Sequence, residues 1–132
     1  MSFLLDTDIC SAYLRGDRTV FNRFLQHTGG LHVSAVSLAE LYSWAHRAAA
    51  PPRRLESLQS MLDDVKVLDV TADVARTFGR MRAALLDQGR PLPTPDLIIA
   101  ATALLHDLTL VTHNIQHFRP VPGLRVQDWL SP

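Results

Sequence analysis

Ser2-Phe3-Leu4-Leu5-Asp6-Thr7-Asp8-Ile9 opens the chain with a short apolar run that stops at an acid. Ser2 to Leu5 is read as a first strand. Thr7 is read as the cap of a helix that reaches Arg15 and ends at Gly16. A strand that feeds straight into a helix is the first half of a parallel crossover unit, so this stretch points to an α/β fold. It also leaves Asp6 at the carboxyl end of a strand.

The alternation continues outward from there. Arg18 to Gln26 makes a second short helix, stopped by Gly29-Gly30, and Leu31 to Val33 a second strand. Ser34 or Ser37 then caps a helix through Arg47. Pro51-Pro52 opens the next, in which Leu55, Leu58, Leu62 and Val65 fall at helical spacing. Val65 to Val70 is a third strand. Thr71 caps a long helix with Val74, Phe78, Met81 and Leu85 on one stripe, closed by Gly89 and Pro91. Thr94 and Pro95 have the chemistry of a cap and a first helical position. The helix after them, Leu97 to Leu105, is apolar almost all round and is expected to be buried. Leu108 to Val111 and Leu124 to Val126 complete the strands. About five strands separated by helices imply a mostly parallel sheet with helices on both faces, in one domain spanning 1–132. Ligands in such sheets bind beyond the carboxyl ends of the strands.

Composition sets the outer bounds. The 132 residues are 47% hydrophobic, enough for a true core. The single cysteine, Cys10, excludes an internal disulfide and fits a reducing cytoplasm. Phe3-Leu4-Leu5 is too short for a signal peptide or a membrane span, so a soluble cytoplasmic protein is expected. The formal net charge is zero, which argues against a large nucleic-acid footprint. Lys66 is the only lysine among the 13 cationic residues. Arginine matches phosphate bidentately, although a GC-rich genome produces the same bias. Arg76 with Arg80, and Arg47, Arg53 and Arg54 around Pro51-Pro52, could steer phosphates or be ordinary solvated surface.

Three acids stand out by position. Asp6 ends the first strand, Glu40 sits early in the helix after the second, and Asp96 lies in the first turn of an apolar helix. Thr112, His113 and Asn114 follow the fourth strand, so all these places can share one sheet edge. Asp69 would satisfy the same crude geometry. The neighbours of Glu40 at helical spacing are Val36, Ser37, Ser43 and Trp44, a poor address for a solvated charge. Three partly desolvated acids would repel, and a divalent cation resolves the repulsion. Oxygen-only ligands favour Mg²⁺ or Mn²⁺. Each acid also has an ordinary account: Asp6 as a helix cap, Asp96 as a charge at a helix dipole, Glu40 as a surface residue beside Trp44.

Several fragments together resemble the PIN-domain ribonucleases, and within them the VapC-type toxins of toxin–antitoxin pairs. They are Leu4-Leu5-Asp6-Thr7-Asp8-Ile9-Cys10, Ser34-Ala35-Val36-Ser37-Leu38-Ala39-Glu40-Leu41, Gly89-Arg90-Pro91, Pro95-Asp96-Leu97-Ile98-Ile99-Ala100, and Leu110-Val111-Thr112-His113-Asn114 with Phe118. The resemblance implies a PIN-like three-layer fold. It implies that Asp6, Glu40 and Asp96 hold Mg²⁺ or Mn²⁺, with Thr112 and Asn114 polar neighbours of the metal. Ser37 matches a small hydroxyl residue before the glutamate, and Asp8 a position often Asn or Asp. Many members carry an acid where this chain has His117. That departure puts a second metal in question and makes His117 a candidate proton donor or phosphate contact, or a loop residue without a role. The resemblance further implies a cognate antitoxin, a homodimer and an RNA substrate. Gly89-Arg90-Pro91 and Pro122-Gly123-Leu124-Arg125-Val126 with Asp128-Trp129 look like toxins that cut initiator tRNA.

Two other classes stay open at this point. Asp6-Thr7-Asp8 after a hydrophobic strand also resembles the start of haloacid-dehalogenase phosphatases, with Asp6 as nucleophile and Asp8 as acid/base. Those need a later lysine and a downstream acidic pair; here Lys66 starts a strand and Asp63-Asp64 precede it. The remaining class is a non-catalytic PIN-like binding module, against which the cost of an unused acidic cluster argues.

Overall fold

The computed structural model describes residues 1–130. Among these, five strands and seven helices alternate: β1 (Phe3–Leu5), α1 (Thr7–Leu14), α2 (Arg18–Gln26), β2 (Leu31–Ser34), α3 (Ala35–Ala45), α4 (Arg53–Leu62), β3 (Lys66–Leu68), α5 (Ala72–Asp87), α6 (Thr94–Leu105), β4 (Thr109–Val111), α7 (Ile115–Phe118) and β5 (Val126–Gln127). Every strand pairing is parallel, in the order β3-β2-β1-β4-β5. Phe3 lies opposite both Leu31 and Thr109, and Leu5 opposite Val111, which makes β1 the central strand.

Side chains alternate across a strand, and here the alternation divides the core in two. Phe3 and Leu5 point into a cluster with Ile9, Phe24, Leu41, Leu58, Met61 and Trp129, drawn from α1 to α4 and the carboxyl-terminal segment. Leu4 and Leu110 point the other way, to Leu85, Leu97, Ile99, Ala100 and Phe118 on α5, α6 and α7. Buried on both faces, β1 has no polar residue until Asp6, as a central parallel strand requires.

The chain order places the site. From β1 the chain moves to β2 and β3 on one side, then returns to lay β4 on the other side of β1. The crossover reverses between β1 and β4, and the crevice beyond their carboxyl ends is where such sheets bind ligands. Asp6 and Thr112 are the first residues past those ends.

Several boundaries depart from expectation. The cap of α1 is Asp6, whose Oδ1 accepts the Thr7 amide at 2.8 Å; Thr7 is the first helical residue. Ser34, not Ser37, caps α3 by accepting the Val36 amide, and α3 stops at Ala45. Thr94 is inside α6, with Pro93 in the cap position. Strand β3 is Lys66–Leu68 instead of 65–70, and β5 is Val126–Gln127 instead of 124–126. Helix α7, read as loop, is a single turn too short for a periodic signal.

Candidate active site at the carboxyl edge of the sheet

The parallel ladder delivers Asp6 to the edge, and the start of α1 turns it inward. Asp6 is 9% exposed. Its Oδ1 accepts the Thr7 amide and its Oδ2 accepts the Thr112 hydroxyl at 2.9 Å. Burial, with the charge of Asp8 next, pushes its pKa up to about 6; the bonds from Thr112 and Thr7 pull the other way, and the charge of Asp96 adds a smaller upward push. Asp6 therefore plays the ordinary role of a cap and also sits in the field of two further acids.

Asp8, one residue into α1, turns to the same place. Its Oδ2 accepts the His113 amide at 3.0 Å and lies 3.4 Å from the Thr112 hydroxyl, while its Oδ1 is buried without a hydrogen-bond partner. Burial raises its pKa as well, against the His113 amide. The neighbouring Cys10 thiol is fully buried, and burial together with Asp6 and Asp8 drives its pKa far upward, so it is chemically inert.

Glu40 reaches the edge differently. It lies on the exposed side of α3, contrary to the expectation of a desolvated acid, and is oriented by the Thr7 hydroxyl, which donates to Oε1 at 2.8 Å. Ser37, one turn earlier, is buried with its hydroxyl unpartnered. Asp96 sits in the first turn of α6, about one-third exposed, with Oδ2 2.8 Å from the His117 Nε2. Asn114 is exposed, and its amide donates to the Thr112 hydroxyl.

Thr7 thus joins Asp6 to Glu40, Thr112 joins Asp6 to Asp8, and Asp96 acts on Asp6 through its charge. Among the described residues, however, no three His, Cys, Asp or Glu side chains draw close enough to form a ready-made metal cage. Asp69 is exposed after the edge strand β3 and joins none of this. Lys66 and Asp63-Asp64 lie at the amino end of β3, two strands from Asp6, so the parts a phosphatase would need do not assemble. A cleft of about 490 Å³ opens near Met1, Ser2, Leu108 and Arg125 towards the amino ends of the strands, and neither Asp6, Asp8, Glu40 nor Asp96 lines it. At the candidate site Glu40, His113 and Asn114 are exposed and Asp96 is about one-third exposed, so this edge opens to solvent.

Two residues make contacts at the edge that the sequence reading did not give. Thr7 was legible only as a cap, although its place between Asp6 and Asp8 put its hydroxyl at the edge. His113 donates its amide to Asp8 and pairs its ring Nδ1 with Asp128 at 3.0 Å, a contact between segments that no local pattern encodes.

Comparison with known proteins agrees with this architecture. The profile of the family described as "PIN domain" matches residues 3–123. A Shigella flexneri protein described as tRNA(fMet)-specific endonuclease VapC is 36% identical over 130 residues, covering 98% of both chains. A Haemophilus influenzae protein described as ribonuclease VapC2 is 32% identical, covering 98% of this chain and 99% of its own. The crystal structure of DNA-bound VapBC from Salmonella typhimurium superposes with a TM-score of 0.92 at 32% identity, covering 98% of each chain. No helix among the described residues is long and apolar enough to cross a membrane. With matches of this length, the chain belongs to the PIN-domain family and has VapC ribonucleases among its relatives.

Proposed function

We propose that this protein is a metal-dependent endoribonuclease, the toxin of a type II toxin–antitoxin pair, that hydrolyses phosphodiester bonds in RNA, with tRNA as the substrate class. The observation that carries the reading is the buried Asp6, held at the switch point of the sheet with a raised pKa and within the field of Asp8 and Asp96. Relatives described as VapC ribonucleases over nearly the whole chain support it, and the tRNA-specific description of one of them supports the substrate class.

The donor chemistry suits a hard divalent cation, although the acids are not drawn into a closed cage. The donors are oxygen only, Asp6 is costly to ionise where it lies, and Asp8 Oδ1 is a buried acceptor without a donor. Asp6 and Asp96 would hold Mg²⁺ or Mn²⁺, with Glu40 contributing directly or through water; an ion bound by few carboxylates retains waters of its own. Bound there, the ion supplies a Lewis acid for the phosphoryl group and acidifies water. The protein does the rest. Thr112 and the Thr7 amide fix Asp6, and the Thr7 hydroxyl aims Glu40, whose exposed carboxylate accepts a proton from the attacking water. As that water's oxygen bonds to phosphorus, the bond to the leaving ribose oxygen breaks and that oxygen takes up a proton from solvent water. Asn114, exposed after β4, would donate to a phosphate oxygen.

A cognate antitoxin and a second copy of the chain complete the proposal, with the cytoplasm as the site of action. The solved VapBC assembly is the support for the first. Phe21 and Leu25 are exposed beside Tyr13 and Phe24, leaving apolar surface that a protein partner would cover.

The test is cleavage of cellular tRNA by purified chain freed of any antitoxin, with Mn²⁺ or Mg²⁺ and with chelator, followed by sequencing of the cut ends. Cleavage should require the ion, and Glu40→Gln, which keeps an acceptor for Thr7, should lower the rate about 100-fold or more. Ion-independent cleavage, or full activity of E40Q, would refute the mechanism.

A further inference from the structure

Asp6 and Asp96 come from distant elements, yet one turn of chain joins them. The Thr112 hydroxyl donates to Asp6 Oδ2 at 2.9 Å and accepts the Asn114 amide at 3.1 Å. The Asn114 carbonyl accepts the His117 amide at 3.1 Å. The His117 ring then meets Asp96 Oδ2 through Nε2 at 2.8 Å. This arc runs unbroken through residues 112–117 from one acid to the other. Its far end is anchored, because Phe118 is 1% exposed in the core beside Leu97 and Ile99, and stands edge-on to the His117 ring at 5.4 Å.

Asp96 by itself is poorly restrained. It occupies the first turn of α6 with its side chain about one-third exposed, where several rotamers are open to it. Among the described residues, His117 is the only side chain that bonds its carboxylate. We propose that His117 is a positioning residue: it holds the Asp96 carboxylate in the orientation from which Asp96 and Asp6 bind one divalent cation. The inference rests on the metal-dependent reading above. An imidazole that carries a proton on Nε2 donates it to the carboxylate oxygen in this contact. Outer partners of this kind orient metal-binding carboxylates, and their loss costs about 10- to 100-fold in affinity.

The test uses the full chain, freed of antitoxin, and reads Mn²⁺ affinity from the free-ion electron paramagnetic resonance signal. His117→Ala should weaken Mn²⁺ binding by about 10-fold or more, with little change in the thermal midpoint of the metal-free protein. His117→Gln, whose amide can still donate to Asp96, should recover most of that loss. In the metal-free protein the ¹⁵N spectrum of the neutral His117 ring should show the Nε2-protonated tautomer, and Asp96→Ala should abolish that preference. H117A binding Mn²⁺ as tightly as the wild type, H117Q no better than H117A, or an Nδ1-protonated ring would each overturn the proposal while leaving the ribonuclease reading intact. Wild-type protein that takes up no Mn²⁺ and cuts no RNA would bring down both.

Discussion

At the scale of single residues, Asp6 couples the chemistry of the site to the stability of the fold. Its pKa is about 6 when folded and 3.8 in a free chain. Between those values the folded protein holds a proton that the unfolded chain has released. The metal-free protein must therefore gain stability as pH falls from above 6 towards 4, and above pH 6 the ionised carboxylate costs about 3 kcal/mol. Asp6→Asn removes that charge while Asn Oδ1 can still accept a hydrogen bond. It should stabilise the metal-free protein at pH 8 by up to about 3 kcal/mol, flatten this part of the pH dependence and eliminate cleavage. Urea denaturation from pH 4.5 to 8 measures it, and an unchanged slope in D6N would mean that Asp6 is not the titrating group. A bound cation reverses the sign: Mn²⁺ should stabilise the wild type at pH 8, less at pH 5, and D6N hardly at all. Asp6 and Asp96 were readable from sequence because each marks the border of an apolar element. The exposure of Glu40 was not, since apolar neighbours on α3 do not reveal which side of the helix meets solvent.

At the scale of elements, two helix caps of the same chemistry separate stability from function. Ser34 accepts the Val36 amide at the start of α3, and Thr71 accepts the Val74 amide at 3.2 Å at the start of α5. Replacing either with Ala should cost about 1 kcal/mol. Of these two helices only α3 carries an acid of the candidate site, so Ser34→Ala should also lower the cleavage rate at saturating RNA, whereas Thr71→Ala should leave it unchanged. Chemical denaturation paired with kinetics reads both outcomes, and equal loss of activity in the two variants would deny α3 its role in placing Glu40. The long helices were legible because the stripe on α5 repeats over several turns and α6 is apolar nearly throughout. Helix α7 was not, because four residues show no period, and what holds it is Phe118 in the core. The shortening of β3 has a similar cause. Asp69 and Val70, past its end, are exposed, so burial does not extend the strand as far as its apolar composition suggests.

At the scale of the molecule, alternation of strand and helix announces a parallel sheet but cannot order its strands, because each crossover looks alike along the chain. The order β3-β2-β1-β4-β5 is fixed by which faces match, and the last segment takes part in that choice. Trp129 is 1% exposed and packs against Phe3 at 5.1 Å and the His27 ring at 5.5 Å, with Phe24 beyond at 6.4 Å. It thereby ties the end of the chain to the first strand and the second helix. Its indole donates to Gln127 on β5 at 3.2 Å, and the adjacent Asp128 holds the His113 ring, whose own amide donates to Asp8. One buried ring thus steadies both the core and the turn that carries part of the site. Trp129→Ala should cost about 3–5 kcal/mol, because the cavity would open between three elements that cannot all close on it. Trp129→Phe keeps an apolar ring but loses the indole donor, and should cost distinctly less. If the closing segment serves the site only through this packing, the two variants should lose activity in proportion to the fraction unfolded, with the folded fraction cleaving at the normal rate. Urea melts and cleavage assays on the same samples decide it. A stable W129F with a slowed rate would show instead that the indole bond to Gln127 sets the 112–114 turn directly.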